Sequence, residues 1–173
     1  MGPHHLETER LVLEPLSLDH SEGMFLLWSD PEVCRYAGPV HDYEGHLVPS
    51  PVRTSSDSDR IIDFWIRAHS DGWGFRWSLV ERSSGIFMGT TGFNSLGACA
   101  EYAYHLNPLY WGRGFMTEAT LAAMAWVRAN GATQVEAFID PANINSIRLV
   151  ERHAFERTEE MQDGALRFVR HLD

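Results

Sequence analysis

Glu101-Tyr-Ala-Tyr-His-Leu-Asn-Pro-Leu-Tyr-Trp-Gly-Arg-Gly-Phe-Met-Thr-Glu-Ala119 joins a strand, a glycine turn and a helix start in nineteen consecutive residues. Cys99 to Leu106 alternates. Tyr102, Tyr104 and Leu106 fall on one face, and Glu101, Ala103 and His105 on the other. Pro108 has no N–H and helps end strand pairing just after Leu106-Asn107. Two glycines flank Arg113, and an alanine-rich helical pattern runs from about Gly114 to Asn130, closed by Gly131. In that order, backbone N–H groups and the positive end of the helix dipole converge on one spot, which predicts a site for a phosphate-bearing ligand.

Upstream, Glu9 to Leu16 alternates as a first strand, and Asp19 can cap a helix through about Trp28 that Asp30-Pro31 ends. Gly38 to Ser58 is rich in Pro, Gly, His and Ser and reads as a long loop with at most a helical turn in it. Ile62, Trp65 and Ile66 set a helix over 59–70. Strands at 76–82 and 86–93 are joined by Ser83-Ser84-Gly85. Downstream, Thr133 to Ile139 is a strand, Asn143 to His153 a helix, and Phe155 to Leu172 a hairpin turned at Asp163-Gly164. The sum is one α+β unit over residues 1–173, with a mixed, mostly antiparallel sheet of seven strands and helices on both faces. A second βαβ unit is missing, which argues against a dinucleotide fold.

The chain has 173 residues, a net charge of −10 and no lysine. The charge disfavours nucleic acid as the main partner. The absence of lysine excludes a Walker A or Schiff-base lysine, and with it a nucleotide switch of the P-loop kind. No apolar run approaches the ~20 residues of a membrane span, and Met1 to Leu6 has neither a signal core nor a myristoylation pattern. Two cysteines, Cys34 and Cys99, form no disulfide framework, so a reducing cytoplasm is expected. His41, Asp42, Glu44 and His46 are too irregularly spaced to predict a metal site.

Three segments together resemble the GNAT acetyltransferase superfamily and, within it, the ribosomal-protein N-acetyltransferases of the RimJ/RimL type. Thr8 to Leu16 is similar to that branch's first strand. Glu101 to Ala119 resembles its fourth strand and pyrophosphate loop, and Asn143-Ile-Asn-Ser-Ile-Arg-Leu-Val-Glu-Arg-His-Ala-Phe155 its last helix. The resemblance implies a sheet splayed between its fourth and fifth strands, with acetyl-coenzyme A as donor and no metal. It implies cofactor contacts at His105, Leu106, Asn107, Trp111, Gly112, Arg113, Gly114, Phe115, Met116, Thr117 and Asn143. Gly114 fits the signature, and Trp111 and Met116 depart from it. Because backbone N–H groups do the binding, only the glycine is hard to replace. A backbone N–H near Leu106 would serve the thioester oxygen. Many relatives place a tyrosine on the last helix to serve the departing thiolate. No tyrosine follows Tyr110 here, which leaves Ser146. Ala154 stands where the branch usually has glycine.

The implied reaction is direct attack of a primary amine, from a protein N-terminus or a small molecule, by a monomer or homodimer. An α-amino group deprotonates more easily than a lysine by about 3.5 kcal/mol. Glu101, acting through water, is the first choice of base, and His105 the alternative. The competing class is a non-catalytic acyl-coenzyme A binding or sensing module.

Overall fold

Alternation sets the strands, and a cap opens or closes most helices of this chain. The computed structural model describes residues 4–172. The chain runs through β1 (Leu6–Glu7), β2 (Leu11–Pro15), a 3-10 turn at Leu18–His20, α1 (Ser21–Trp28) and α2 (Pro31–Cys34). Then come β3 (Val40–His41), β4 (Leu47–Val48), α3 (Ser55–Asp71), β5 (Phe75–Glu81), β6 (Phe87–Ser95) and β7 (Cys99–Leu106). After a second 3-10 turn at Pro108–Tyr110 follow α4 (Phe115–Ala129), β8 (Gln134–Ile139), α5 (Ile144–Arg152), β9 (Glu156–Gln162) and β10 (Ala165–His171).

The main sheet has eight strands in the order β1-β2-β5-β6-β7-β8-β10-β9. The strand beyond the expected seven is β1, two residues that pair Leu6 with Leu13 and Glu7 with Val12. Among the described residues the only parallel neighbours are β7 and β8, and their register runs over Cys99↔Gln134, Ala100↔Val135 and Glu101↔Glu136. The expected splay is there, between the strands predicted to carry it.

Several boundaries differ from expectation because a cap outweighed the apolar period. The stretch after β2 opens at Ser17, whose capping box with His20 starts a 3-10 turn before α1. Asp30 does more than end α1: its carboxylate accepts from the Glu32 N–H at 2.8 Å and, with Pro31 in the first turn, opens α2. Helix α3 begins at Ser55 rather than Asp59, because Thr54 and Asp57 form a capping box ahead of the apolar stripe. The 38–58 loop holds the small β3–β4 hairpin.

The sheet is covered on both faces, unequally. On one face Phe75, Trp77 and Phe93 pack around Trp126 of α4, with Leu11, Leu13 and Val135 beside them. On the other, α1, α2 and α3 form a second cluster around Met24, Leu27, Val33, Ile61 and Ile62. Beneath it β5 and β6 present buried polar groups, Arg76, Ser78 and Thr90. An apolar core therefore seals one face, while the other has a polar floor under aromatic walls.

Candidate active site

Past Glu101 the two parallel strands part. Asn107 N–H bonds Met88 O at 2.8 Å and Thr90 pairs with His105, so the odd-numbered residues of β7 spend their backbone groups on β6. By alternation the N–H of Leu106 faces β8, which β7 no longer meets there. Leu106 O faces the same way and accepts the Trp111 indole N–H at 2.7 Å. That bond latches the glycine turn to the end of the strand. A side chain that departs from the family signature thus has a local task.

The turn itself needs its glycines. Gly112 has φ +70° and Gly114 φ +79°, both in the left-handed region, and Gly114 is the N-cap of α4. It offers no capping side chain, so the first N–H groups of α4 remain available at the positive end of the helix. Phe115 and Met116 are buried and belong to the core cluster, and both also line the cleft. Glu118 in the first turn would oppose an anion. It is clamped by Arg10, whose Nε donates at 2.8 Å and whose backbone N–H donates at 2.7 Å. Burial alone would raise the Glu118 carboxyl. Hydrogen bonds from Thr8 and Arg10 outweigh that and hold it below its usual range. Arg10 also donates to Arg113 O at 2.9 Å, tying β2 to the turn. Arg113 lies 5.1 Å from the Phe115 ring centroid.

Helix α5 faces this turn across the gap. Asn143 is its N-cap and its side-chain oxygen accepts from the Ser146 N–H at 3.2 Å, while its side-chain amide N–H has no partner among the described residues. Ser146, Asn143, Leu106 and the 111–112 and 114–117 backbone line one cleft. The Asn107 side-chain oxygen accepts from the Leu109 N–H at 3.0 Å, which caps the 3-10 turn, and Asn107 is not among the residues that line the cleft. The Tyr104 hydroxyl, missed as a candidate, is buried beside Ser146. Burial pushes its pKa well above the tyrosine range and Ser146 pulls the other way, so it stays a protonated donor. It comes from the strand rather than the helix, so no helical spacing could mark it.

On the opposite face of β7, His105 packs against Trp28 with ring centroids 4.5 Å apart. Burial, with Arg76 adding to it, pushes its pKa down to about 3, which makes it a neutral ring and a weak base near pH 7. Glu101 sits where β7 and β8 still pair, and one oxygen accepts from Asn94 Nδ2 at 2.6 Å. Asn94 and Arg76, to which it connects, line the cleft, and Glu101 itself stands one residue back. Asp42 in the hairpin is held by Arg60 at 2.6 Å, which keeps its carboxyl down at about 2.

The cleft measures about 1490 Å³, beyond the ~300–1,000 Å³ of a pocket for one drug-sized ligand. It runs from the glycine turn through the strand gap to the aromatic walls of α3, room for a long donor and an acceptor meeting end to end. A parted strand pair beside an uncapped helix start leaves a gap and an anion-binding helix end on one cleft, as an acyltransferase that uses acyl-coenzyme A requires. The acetyltransferase (GNAT) domain family matches residues 10–156, and the chain belongs to that family. The uncharacterized N-acetyltransferase p20 of Bacillus licheniformis is 27% identical over 162 residues, 91% of this chain and 85% of that protein. An acetyltransferase of Agrobacterium tumefaciens superposes with a TM-score of 0.79 at 19% identity, over 99% of this chain and 96% of that one. RimL, a ribosomal L7/L12 alpha-N-protein acetyltransferase solved with coenzyme A, superposes with a TM-score of 0.78 at 16% identity, over 96% of each chain. The chain is thus an acetyl-coenzyme A-dependent acetyltransferase acting on an amine. Among the described residues no helix is long and apolar enough to cross a membrane.

Proposed function

We propose that the protein N-acetylates a primary amine entering from the α1–α3 side, and that the parting of β7 from β8 past Glu101 carries this reading. Acetyl-coenzyme A supplies the activated acyl group. Gly112 to Thr117 hold the pyrophosphate through backbone N–H groups, helped by the Arg10 clamp on Glu118 and the positive charge of Arg113. Asn143 donates its free amide N–H to the pantetheine arm. The Leu106 N–H, facing the gap, meets the oxygen on which charge develops, and such a donor is strongest in that state. Ser146 donates to the departing sulfur, with the Tyr104 hydroxyl behind it. Glu101 takes the amine's proton through water, since His105 is too weak a base for that role.

The acceptor is a peptide N-terminus or a small amine, and the enzyme works as a monomer or homodimer in the cytoplasm, where Cys34 and Cys99 stay free. Calorimetry with coenzyme A and thiol release on an amine panel test the reading together. Ser146→Ala should lower kcat about a hundredfold while leaving coenzyme A affinity within a few fold. Coenzyme A binding with no turnover on any amine would return the protein to the class of acyl-coenzyme A sensors.

A further inference from the structure

We propose that the acceptor is a primary amine that carries a carboxylate several bonds away, and that Arg76 on the polar floor of the cleft receives that carboxylate. The inference rests on the acetyltransferase reading and names its second substrate.

Arg76 is the second residue of β5, between Phe75 and Trp77, which both point into the core under α4. Alternation therefore sends Arg76 to the other face, and α3 covers it there: it is 5% exposed. Its Nη1 donates to Ala103 O at 2.9 Å and its Nη2 to Asn94 Oδ1 at 2.6 Å. Both acceptors are neutral. Among the described residues no carboxylate oxygen lies within 4 Å of the guanidinium. The closest linked carboxylate, Glu101, is reached only through Asn94.

Other arginines of the chain show how unusual this is. Arg10, Arg60, Arg67 and Arg167 each have a carboxylate of their own, although each is more exposed than Arg76. A buried cation is costly unless an anion and hydrogen bonds compensate it. Trp65, whose ring centroid lies 4.0 Å from the guanidinium carbon, offsets part of that cost. Two of five donors are engaged and the fork suits a carboxylate. The group lines the same cleft as Trp65, Phe64 and Trp73, and a ligand arriving there can supply the missing anion.

Position narrows the class further. The guanidinium bonds at Ala103, three residues before Leu106, which is about 10 Å along the strand. That is too far for a carboxylate on the amine-bearing carbon. It suits the side chain of an acidic residue at or just after a peptide N-terminus, or the far end of an ω-amino acid.

The test measures thiol release with matched pairs: tripeptide amides with Glu or Gln at the first, second or third position, and ω-amino acids against their amides. Coenzyme A binding is followed beside it. At least one carboxylate member should exceed its neutral partner by about tenfold or more in kcat/KM, mainly through KM. Arg76→Gln should bring that ratio close to one, and Arg76→Lys, which keeps the charge without the fork, should recover part of it. If Arg76→Gln fails to fold, the wild-type ratios and Arg76→Lys decide. Equal rates within every pair, a preference that survives Arg76→Gln, or turnover of no carboxylate-bearing amine each overturn the proposal while the donor site stands. Failure of the wild-type protein to bind coenzyme A would instead remove the acetyltransferase reading beneath it.

Discussion

The two ends of the cleft are made of different material. At the proposed donor end the groups on offer are backbone: N–H groups of a left-handed glycine turn, of a helix start without a capping side chain, and of a strand end that has lost its neighbour. At the acceptor end they are side chains, with Arg76 and Asn94 on the floor and Trp65, Phe64 and Trp73 on the wall. Backbone groups demand particular φ values and particular neighbours, so they leave a spelling in the sequence. Side chains on a two-sided sheet demand only that a polar residue occupy one position, and that leaves almost no trace.

The contrast can be broken in four places. The largest effect should come from Gly114→Val. A β-branched residue at φ +79° cannot hold the turn, and losing two or more charge-assisted N–H bonds should weaken coenzyme A binding about a hundredfold or more by calorimetry. Unchanged affinity in a folded variant would sink the site assignment. Next is Arg10→Ala, which frees Glu118 to face the incoming phosphates. Coenzyme A affinity should fall about tenfold, and adding Glu118→Gln should restore much of it. Failure of the second change to rescue would make Arg10 a packing residue.

The acceptor end should show itself in pH. His105 has a folded pKa of about 3 against 6.5 when unfolded, so between those values the unfolded chain binds more protons. Its contribution to stability is therefore complete above about 6.5 and is lost as pH falls toward 3. His4, His69 and His153 are lowered too and add to the same window. Asp42, held at about 2, gives way only below its ordinary 3.8. Thermal midpoints between pH 7.5 and 5 should fall, and His105→Gln should flatten that slope. An unchanged slope would mean that water reaches the ring. The smallest effect lies outside both ends. Ala154 closes α5 at φ +59°, where a side chain strains the backbone, so Ala154→Gly should stabilise by roughly 0.5–1 kcal/mol without altering either substrate's parameters.

The same difference in material explains what was legible. Seven strands and the 115–129 helix follow from period, β7 was predicted to the residue, and Asp163-Gly164 turns the last hairpin with φ +50° and +83°. The resemblance placed the turn, Ser146 and Asn143 on one cleft. Strands of two residues, such as Leu6–Glu7 and the Val40–His41 pair, have no period to show. The start of α3 was hidden because Ser55 to Ser58 is polar and only the Thr54–Asp57 spacing marks it. Arg76 stands in the sequence only as the start of the 76–82 strand, since nothing in β5 says that α3 will cover that face. Tyr104 meets Ser146 only across the fold, from a strand 42 positions earlier in the numbering.

The brief pairing of β7 with β8 has one more effect. Two strands in the middle of a sheet keep inner edges without mates, a liability that proteins usually hide at the rim. A ligand lodged between them works as an absent ninth strand delivered from outside. Occupancy then tightens the whole molecule by RT ln(1 + [L]/Kd), about 2.7 kcal/mol at a hundredfold excess over Kd. Amide protons along those edges should exchange slowly when acyl donor is plentiful and quickly when it is scarce. The lifetime of the enzyme would then follow the supply of the metabolite it spends.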